Sequence, residues 1–161
     1  MSTKAREPRL NAFDPELIDP INRRLLGELQ ADARLTMAEL GRRINLSAPA
    51  VAERLQRLER AGVVTGYRAL VDPKAIGYPI GVIVRVRPSA RQLPRIPELA
   101  REIPEVVECH RITGDDCFFM RLQLRSLDDL EAILDRFLLF GQTTTSIVHS
   151  SPIAARPLPL S

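Results

Sequence analysis

Between residues 20 and 60, apolar positions recur at helical spacing in three short runs that polar residues separate. This pattern predicts three helices in close order, each with one apolar stripe and one polar face. The predicted helices cover residues 20–31, 37–44 and 48–60. Their stripes predict one small shared core, formed by Leu25, Leu29, Leu40, Ile44, Val51, Leu55 and Leu58.

Residues that favour helix ends occur where these runs begin and stop. Asp19 stands before a proline, as a cap does at a helix start, and Ser47 precedes the third run in the same way. Thr36 is followed by Glu39 at the spacing of a capping box. Gly62 follows the third run, where a glycine commonly ends a helix. The end signals therefore support the helices that the stripes predict.

The polar face of the third predicted helix carries a small residue at its start and basic residues further along. It is formed by Ala50, Glu53, Arg54 and Arg57. Small residues let a helix approach base edges in the major groove, and arginines then reach guanine edges or phosphates. The second and third helices therefore favour a helix-turn-helix. On this stretch alone, an ordinary solvated helix face is the alternative.

Side-chain chemistry suggests individual roles around this helix. Pro49 and Ala50 suit contacts with thymine methyl groups, whereas Arg42 and Arg43 on the second helix suit phosphate neutralisation. Ser47 either only caps the third helix or also contacts a phosphate, and both interpretations stay open. The predicted DNA-contacting residues are Ser47, Pro49, Ala50, Glu53, Arg54, Arg57, Arg42 and Arg43.

The second half of the chain alternates between strand-like and helix-like patterns. Residues 63–72 are β-rich and predict a small wing or a connecting strand, with linker signals up to residue 79. From there the order is β-α-β-β-α-β, which is the ferredoxin-like split unit. The strands are expected at 81–87, 106–112, 117–125 and 142–150, and the helices at 93–103 and from Ser126 onwards.

A four-residue loop at 113–116 fixes a register for the central hairpin. Cys109 then faces Met120 and Val107 faces Leu122. The set expected under the helices is Val107, Cys109, Phe118, Met120 and Leu122. The set on the opposite face is Val106, Glu108, His110, Ile112, Cys117, Phe119 and Arg121, with a cross-strand pair between Glu108 and Arg121.

That opposite face is too apolar to be left in water, and a ferredoxin-like unit places no helix over it. A second subunit is therefore the expected cover. The predicted dimer-interface residues are His110, Phe119, Glu108 and Arg121.

Composition narrows the class of protein. The chain has 161 residues, of which 45% are hydrophobic and 27% charged, as in ordinary globular proteins. We find no apolar run of membrane-spanning length and no apolar leader, and two cysteines argue against a disulfide scaffold. We therefore expect a cytoplasmic protein without a membrane partner. Residues 1–74 carry +3 (13 Lys/Arg against 10 Asp/Glu) and residues 75–161 carry zero (10 against 10), so the first half is the candidate anion-binding module.

These stretches together resemble the Lrp/AsnC family of bacterial and archaeal transcription regulators. LLGELQADARLTMAELGRRINLSAPAVAERLQRLERAGVVTGYRA is similar to the family's helix-turn-helix and following strand. EVVECHRITGDDCFFMRLQL is similar to its amino-acid-sensing domain around a T-G-D turn. One departure is Asn22, where the family often has a second Asp after Asp19. The resemblance implies a regulator that binds double-stranded DNA as a homodimer and assembles further, for example to an octamer.

The resemblance also implies an amino-acid effector at the T-G-D turn, between dimers, with no resident cofactor or metal. Turn N–H groups would take the effector's carboxylate and an Asp its ammonium. The implied effector-binding residues are Gly114, Asp115, Asp116, Thr143, Thr144, Thr145 and Ser146. Gly and Asp are also common in plain hairpin turns, and polar residues alternate on many edge strands, so a purely structural interpretation stays open.

Two other function classes are considered beside the regulator. His110 and His149 raise the alternative of an enzyme like the siroheme decarboxylases, which share this two-part architecture and act through histidines. Neither histidine has a carboxylate or Cys cluster at metal-ligand spacing, and we expect no catalytic residue. The other alternative is a sensor module that does not bind DNA.

The sequence thus predicts an α+β chain, with an N-terminal three-helix winged helix-turn-helix domain followed by a C-terminal ferredoxin-like βαββαβ domain. The expected segments are a disordered basic tail at 1–16, the DNA-binding domain at 17–62, a connecting strand and linker at 63–79, the effector-binding and oligomerisation domain at 80–155, and a C-terminal tail at 156–161.

Overall fold

The computed structural model describes residues 16–160 and divides the chain into two compact units. Among the described residues, the helical unit comprises residues 16–68 together with 155–160, and the sheet unit comprises Ala69–Ala154. All but the last residue of the basic tail predicted at 1–16 lies outside the described residues. No helix among the described residues is both long and apolar enough to span a bilayer.

Three helices form the helical unit, as the apolar stripes predict. They are α1 at Pro20–Ala31, α2 at Met37–Ile44 and α3 at Ala48–Arg60. All seven predicted core residues are buried, and the most accessible of them is 8% exposed. Burial of aliphatic side chains of this size contributes about 1.5–3 kcal/mol each, before the cost of ordering the chain. The caps by Asp19, Thr36 and Ser47 are confirmed, and Gly62 follows α3 with a φ of +75°.

The turn between α2 and α3 depends on two residues with unusual steric properties. Asn45 ends α2 in the left-handed region, with a φ of 60°, which asparagine tolerates better than most residues. Gly41 is buried where the chain folds back, and a Cβ added there would collide with the carbonyl oxygen of Leu46. Local sequence patterns do not reveal this role of Gly41, because the close approach depends on how the next helix docks.

Residues 63–72 form neither a wing strand nor a connecting strand, so that prediction is wrong for the described chain. The N–H groups of Val63 and Val64 both donate to the Leu58 carbonyl, which completes the end of α3. Beyond them, no described strand lies alongside, and Leu70 is 95% exposed. A β-favouring composition produces a strand only where a neighbouring strand pairs with it.

The sheet unit has the predicted β-α-β-β-α-β order and an antiparallel sheet with the strand order β2-β3-β1-β4. The strands are β1 at Ile80–Pro88, β2 at Val106–Arg111, β3 at Phe118–Leu124 and β4 at Gly141–Ile147. The helices are α4 at Arg95–Glu102 and α5 at Leu127–Leu138. Both helices pack on the face that carries Val82, Val84 and Val86, which we call the covered face. The face that carries Ile83, Arg85 and Arg87 is the open face. The predicted α+β fold class is confirmed.

The hairpin register is confirmed near the turn and wrong further along. The Ile112 N–H donates to the Cys117 carbonyl, and Cys109 pairs with Met120, as predicted. A β-bulge between Val106 and Glu108 then inserts one extra residue in β2, so that Leu122 pairs with Val106 instead of Val107. Val106 consequently packs on the core, and Val107 is 46% exposed.

Two cysteines also differ from the predicted placement. Cys109 is exposed, because β2 is an edge strand and the helices cover only part of its inner face. Cys117 packs against the core of the sheet unit instead of lying on the open face. It precedes β3, where the alternation of a strand does not yet apply, and its N–H donates to the Val86 carbonyl. Both cysteines are free thiols, in agreement with the sequence analysis.

Replacing Gly41 by alanine should lower the free energy of unfolding by about 1–3 kcal/mol, because the new Cβ forces apart the close approach of α2 to the following turn. Unfolding followed by circular dichroism measures the change. Gly27→Ala is the matched control, since nothing lies within 4 Å of a Cβ added there. Alanine in that helix interior should raise stability by about 0.5–1 kcal/mol. Equal responses of the two variants would contradict the role of Gly41.

Candidate functional site

The residues predicted to contact DNA lie at the start of α3 and along one of its sides. Ser47, Pro49, Glu53 and Arg57 are exposed, and Ala50 is half-buried. The Ser47 hydroxyl oxygen accepts a hydrogen bond from the Ala50 N–H at 3.4 Å, so the cap is present and the hydroxyl proton remains available. α3 therefore offers an exposed first turn followed by an exposed guanidinium.

Arg54 does not share the exposure of Arg57, so the expectation of one common exposed face is wrong for this residue. Its side chain is 22% exposed and donates to the Asp19 carboxylate at 2.7 Å. The same guanidinium nitrogen donates to the Asn22 side-chain oxygen at 3.1 Å. The residue therefore links the middle of α3 to the first turn of α1, and its charge is already paired within the protein.

Asn22 is the buried partner in this cluster, with 1% of its surface exposed. Its amide donates to the Leu17 carbonyl at 2.7 Å and its oxygen accepts from Arg54. In the sequence, Asn22 stands out only as a departure from a family pattern. Its spacing from Leu25 and Leu29 on α1 is the signal that it lies on the buried face.

Opposing effects act on the Asp19 carboxyl. Burial raises its pKa, but the hydrogen bond from the Asn22 N–H and the bond and charge of Arg54 outweigh burial, and the net pKa is lowered. A carboxyl whose pKa is lowered by folding stabilises the fold above its unfolded pKa. That stabilisation is lost as the pH falls through the lowered pKa.

The two arginines of α2 that were predicted to contact phosphates have different surroundings. Arg43 donates to the Glu28 carboxylate at 2.7 Å, and this bond raises the pKa of Arg43. Arg24 donates to the Arg43 carbonyl at 2.8 Å, which adds a second link between α1 and α2. Arg42 is exposed without a hydrogen bond or ion pair to any described residue. Of the two arginines, Arg42 is therefore the one whose guanidinium is more available to bind a phosphate.

In the sheet unit, the T-G-D turn lies beside two arginines of β1. Gly114 has a φ of +105°, so any side chain there would be strained. The Asp116 carboxylate is 3.3 Å from the Arg85 guanidinium, and the Asp115 carboxylate is 3.5 Å from that of Arg87. Neither arginine was among the predicted site residues, although their alternation in β1 places both on the open face.

The four polar residues predicted on β4 do not form one group. Thr143 and Thr145 are paired with positions of the covered face, whereas Thr144 is paired with Arg85 on the open face. Ser146 is paired with Ile83, also on the open face. Only Thr144 and Ser146 therefore share a face with the arginines beside the turn.

The open face also contains the predicted cross-strand contacts of β2 and β3. Arg121 donates to the Glu108 carboxylate at 2.6 Å, and this bond lowers the pKa of Glu108. The His110 Nε2 atom is 3.7 Å from the same carboxylate, and its ring centroid is 6.3 Å from that of Phe119. Within residues 16–160, no group of three or more His, Cys, Asp or Glu side chains has metal-binding geometry.

The helical unit thus contains a helix-turn-helix with an exposed arginine on its second helix, and the sheet unit is covered by helices on one face and has a charged turn. Two family models match these units. One, described as winged helix-turn-helix DNA-binding, matches residues 18–65, and the other, described as the Lrp/AsnC ligand binding domain, matches residues 81–158.

Relatives with assigned names match this chain across both units. The transcriptional regulator LrpA of Mycobacterium tuberculosis is 35% identical over 139 residues, which cover 86% of this chain and 90% of LrpA. LrpC of Bacillus subtilis is 33% identical, and the match covers 83% of this chain and 92% of LrpC. The solved structure of LrpC superposes with a TM-score of 0.81 and covers 85% of this chain and 98% of that chain. A Neisseria meningitidis regulator solved as an L-Met complex is 27% identical, with a TM-score of 0.81 over 88% and 96% of the two chains.

The chain belongs to the Lrp/AsnC family of transcription regulators. It is a regulator with a DNA-binding and a ligand-binding domain. The prediction that it is not an enzyme is confirmed, because these relatives and structural neighbours are regulators.

Replacing Arg54 by methionine should lower the free energy of unfolding by about 1–3 kcal/mol at neutral pH, because the buried Asn22 oxygen loses its donor. The difference from wild type should shrink as the pH falls through the lowered pKa of Asp19, since protonation breaks the ion pair in the wild type. Denaturant unfolding across a pH series measures both effects. Arg57→Met is the control and should have no effect; a pH-independent difference for Arg54→Met would contradict the assignment.

Proposed function

We propose that the chain is a sequence-specific regulator that reads double-stranded DNA with α3 in the major groove. The observation that carries this proposal is that Arg54 anchors α3 to α1 while Arg57 extends, unpaired, from the exposed side. Because α3 is anchored, the guanidinium of Arg57 is held in a defined position, from which its N–H groups can donate to a guanine edge or a phosphate. A regulator of this kind works where the chromosome is, in the cytoplasm.

The contacts that we propose follow the exposure of each residue. Ser47 and Arg42 bind phosphates, and Pro49 and Ala50 touch thymine methyl groups. Glu53 accepts from a cytosine amino group. Arg57 makes the principal base or phosphate contact. Arg54 and Arg43 contribute mainly through their partners in α1, because both are already in ion pairs.

Replacing Arg57 by alanine should weaken binding to the upstream DNA of the chain's own gene without changing stability. Loss of a bidentate base contact costs about 1–3 kcal/mol and relaxes specificity at one position, whereas loss of a phosphate contact lowers the salt slope by about one unit. Fluorescence anisotropy at several salt concentrations distinguishes the two. Arg91→Ala, an exposed arginine of the sheet unit, is the control. If Arg57→Ala matches wild type in affinity and salt slope, the assignment fails.

Failure of the wild-type chain to bind that DNA or a randomised DNA library would favour the alternative of a sensor module. We therefore treat wild-type binding as the test of the function and Arg57→Ala as the test of the residue.

We further propose that the open face forms the dimer interface. Phe119 and Ile83 are half-buried apolar side chains on this face, and no described helix covers them. The ion pair between Glu108 and Arg121 and the ring contact of His110 border this apolar centre, as a polar rim does. A dimer brings two copies of α3 to two half-sites, and dimers then assemble further, for example to an octamer.

Replacing Phe119 by glutamate should break the dimer, because it removes the apolar centre of the interface and adds a charge that is costly to bury even beside its cross-strand neighbours Arg85 and His110. Light scattering measures the mass, and DNA with one or two half-sites measures the functional consequence. Leu127→Glu is the control; it adds the same charge at an apolar residue, 53% exposed, on α5. A Phe119→Glu chain that stays dimeric would contradict this interface.

We also propose that the T-G-D turn binds an amino acid between dimers. The ligand-binding family model supports a small ligand, and the Neisseria meningitidis neighbour is an L-Met complex. Exposed N–H groups of the turn and the guanidinium of Arg85 take the carboxylate, and Asp115 and Asp116 take the ammonium. Thr144 adds a hydroxyl from the open face. A ligand shared by two dimers changes assembly only through its different affinity for the two states.

Calorimetry with each of the twenty amino acids should identify a ligand, and Asp115→Ala should lower its affinity and remove its effect on assembly. The reason is that Asp115 is 93% exposed at its side chain, and so available to a ligand's ammonium. Asp128→Ala, an exposed aspartate of α5, is the control. No binding at millimolar concentration, or equal affinity in Asp115→Ala, would leave the turn as a plain hairpin turn.

A further inference from the structure

One face of α1 contacts the C-terminal segment of the chain, residues 156–160, within the helical unit. The N–H of Leu158 donates to the Gln30 side-chain oxygen at 2.9 Å. The Gln30 amide nitrogen donates back to the Leu158 carbonyl at 3.4 Å, and Arg23 donates to the Leu160 carbonyl at 3.3 Å. All three hydrogen bonds join side chains of α1 to backbone groups of the segment.

The geometry is that of a primary amide paired with a peptide group. Gln30 offers one donor and one acceptor in the arrangement that a neighbouring strand offers, so it satisfies both backbone groups of a single residue. Leu158 lies between Pro157 and Pro159, and neither proline has an N–H to donate. The prolines also favour an extended backbone before binding, which lowers the entropic cost of docking.

The side chain of Leu158 contributes little to this contact, because the residue is 77% exposed. Recognition at Leu158 therefore depends on the backbone and on its extended shape, whereas Leu160 is half-buried. Gly27 lies between Arg23 and Gln30 on the same face of α1, one turn from each, and nothing lies within 4 Å of a Cβ added there. The docked segment therefore stays clear of Gly27 and contacts α1 through Arg23 and Gln30 on either side of it.

We infer that this face of α1, defined by Arg23 and Gln30, is a binding surface for an extended, proline-flanked peptide, and that its ligand is the chain's own C-terminal segment. The sheet unit is then attached to the helical unit at both ends, through residues 63–79 and through the docked segment. While the segment is docked, the same face of α1 is closed to other peptides.

The full-length chain tests this inference with two proline substitutions. Leu158→Pro removes the N–H that donates to Gln30 and keeps the extended backbone, whereas Ala155→Pro, at an exposed residue whose N–H has no partner among the described residues, serves as the control. The probe is a fluorescein-labelled peptide of residues 155–161, and anisotropy measures its binding to each full-length chain. One lost hydrogen bond between neutral groups weakens the resident segment by about fivefold.

We expect the probe to bind up to about fivefold more tightly to Leu158→Pro than to wild type, because the resident segment competes less. Ala155→Pro should match wild type. A probe that itself carries proline at position 158 should bind about fivefold more weakly to Leu158→Pro, and the added change Gln30→Ala should remove this discrimination between probes.

Three results would overturn the inference. They are equal probe affinity in all three chains, binding that is indifferent to Gln30→Ala, and tighter probe binding to wild type on dilution. The last result would mean that the resident segment comes from a second copy and not from the same chain.

Discussion

The helical unit is organised around one buried polar side chain. Apolar stripes alone allow helices to rotate or slide over each other, since methyl and methylene groups have no directional preference. Asn22 removes that freedom, because its amide and its oxygen each need a partner at a fixed direction. Arg54 can satisfy the oxygen from only one placement of α3. The helix that we propose to enter the DNA groove is therefore held in place by a side chain of α1, and Asp19 serves both as cap and as counter-ion.

The sheet unit follows a different constraint, which is that its helices cover one face only. Alternation along each strand then sorts side chains without further information. Val82, Val84 and Val86 enter the core, and Arg85 and Arg87 are left on the other side, beside the carboxylates of the turn. The same alternation divides the threonines of β4 between the two faces, so a polar run in sequence is not a polar cluster in space.

Most of the fold could be predicted because its signals are local. Caps, stripes and alternation each involve residues within one turn or one strand, and the helix bounds agree with them. The failures all depend on residues distant in sequence. The bulge in β2 comes from pairing with β3, the exposure of Arg54 depends on α1, and residues 63–72 lack a strand beside them. The exposed start of α3 could be predicted from the sequence. The position of Arg85 and Arg87 beside the turn could not, because it depends on which strands are neighbours in the sheet.

The bulge in β2 has a consequence for how the protein avoids aggregation. An edge strand offers a row of free backbone groups to any other strand, and a regular edge is a template for uncontrolled growth. β2 is an edge of this sheet, and the extra residue between Val106 and Glu108 breaks the regular spacing of its hydrogen-bonding groups. A foreign strand laid along this edge would match it on one side of the bulge and lose register on the other. The irregularity that defeats a simple register prediction thus also makes this edge of the sheet a poor template for fibre-like association.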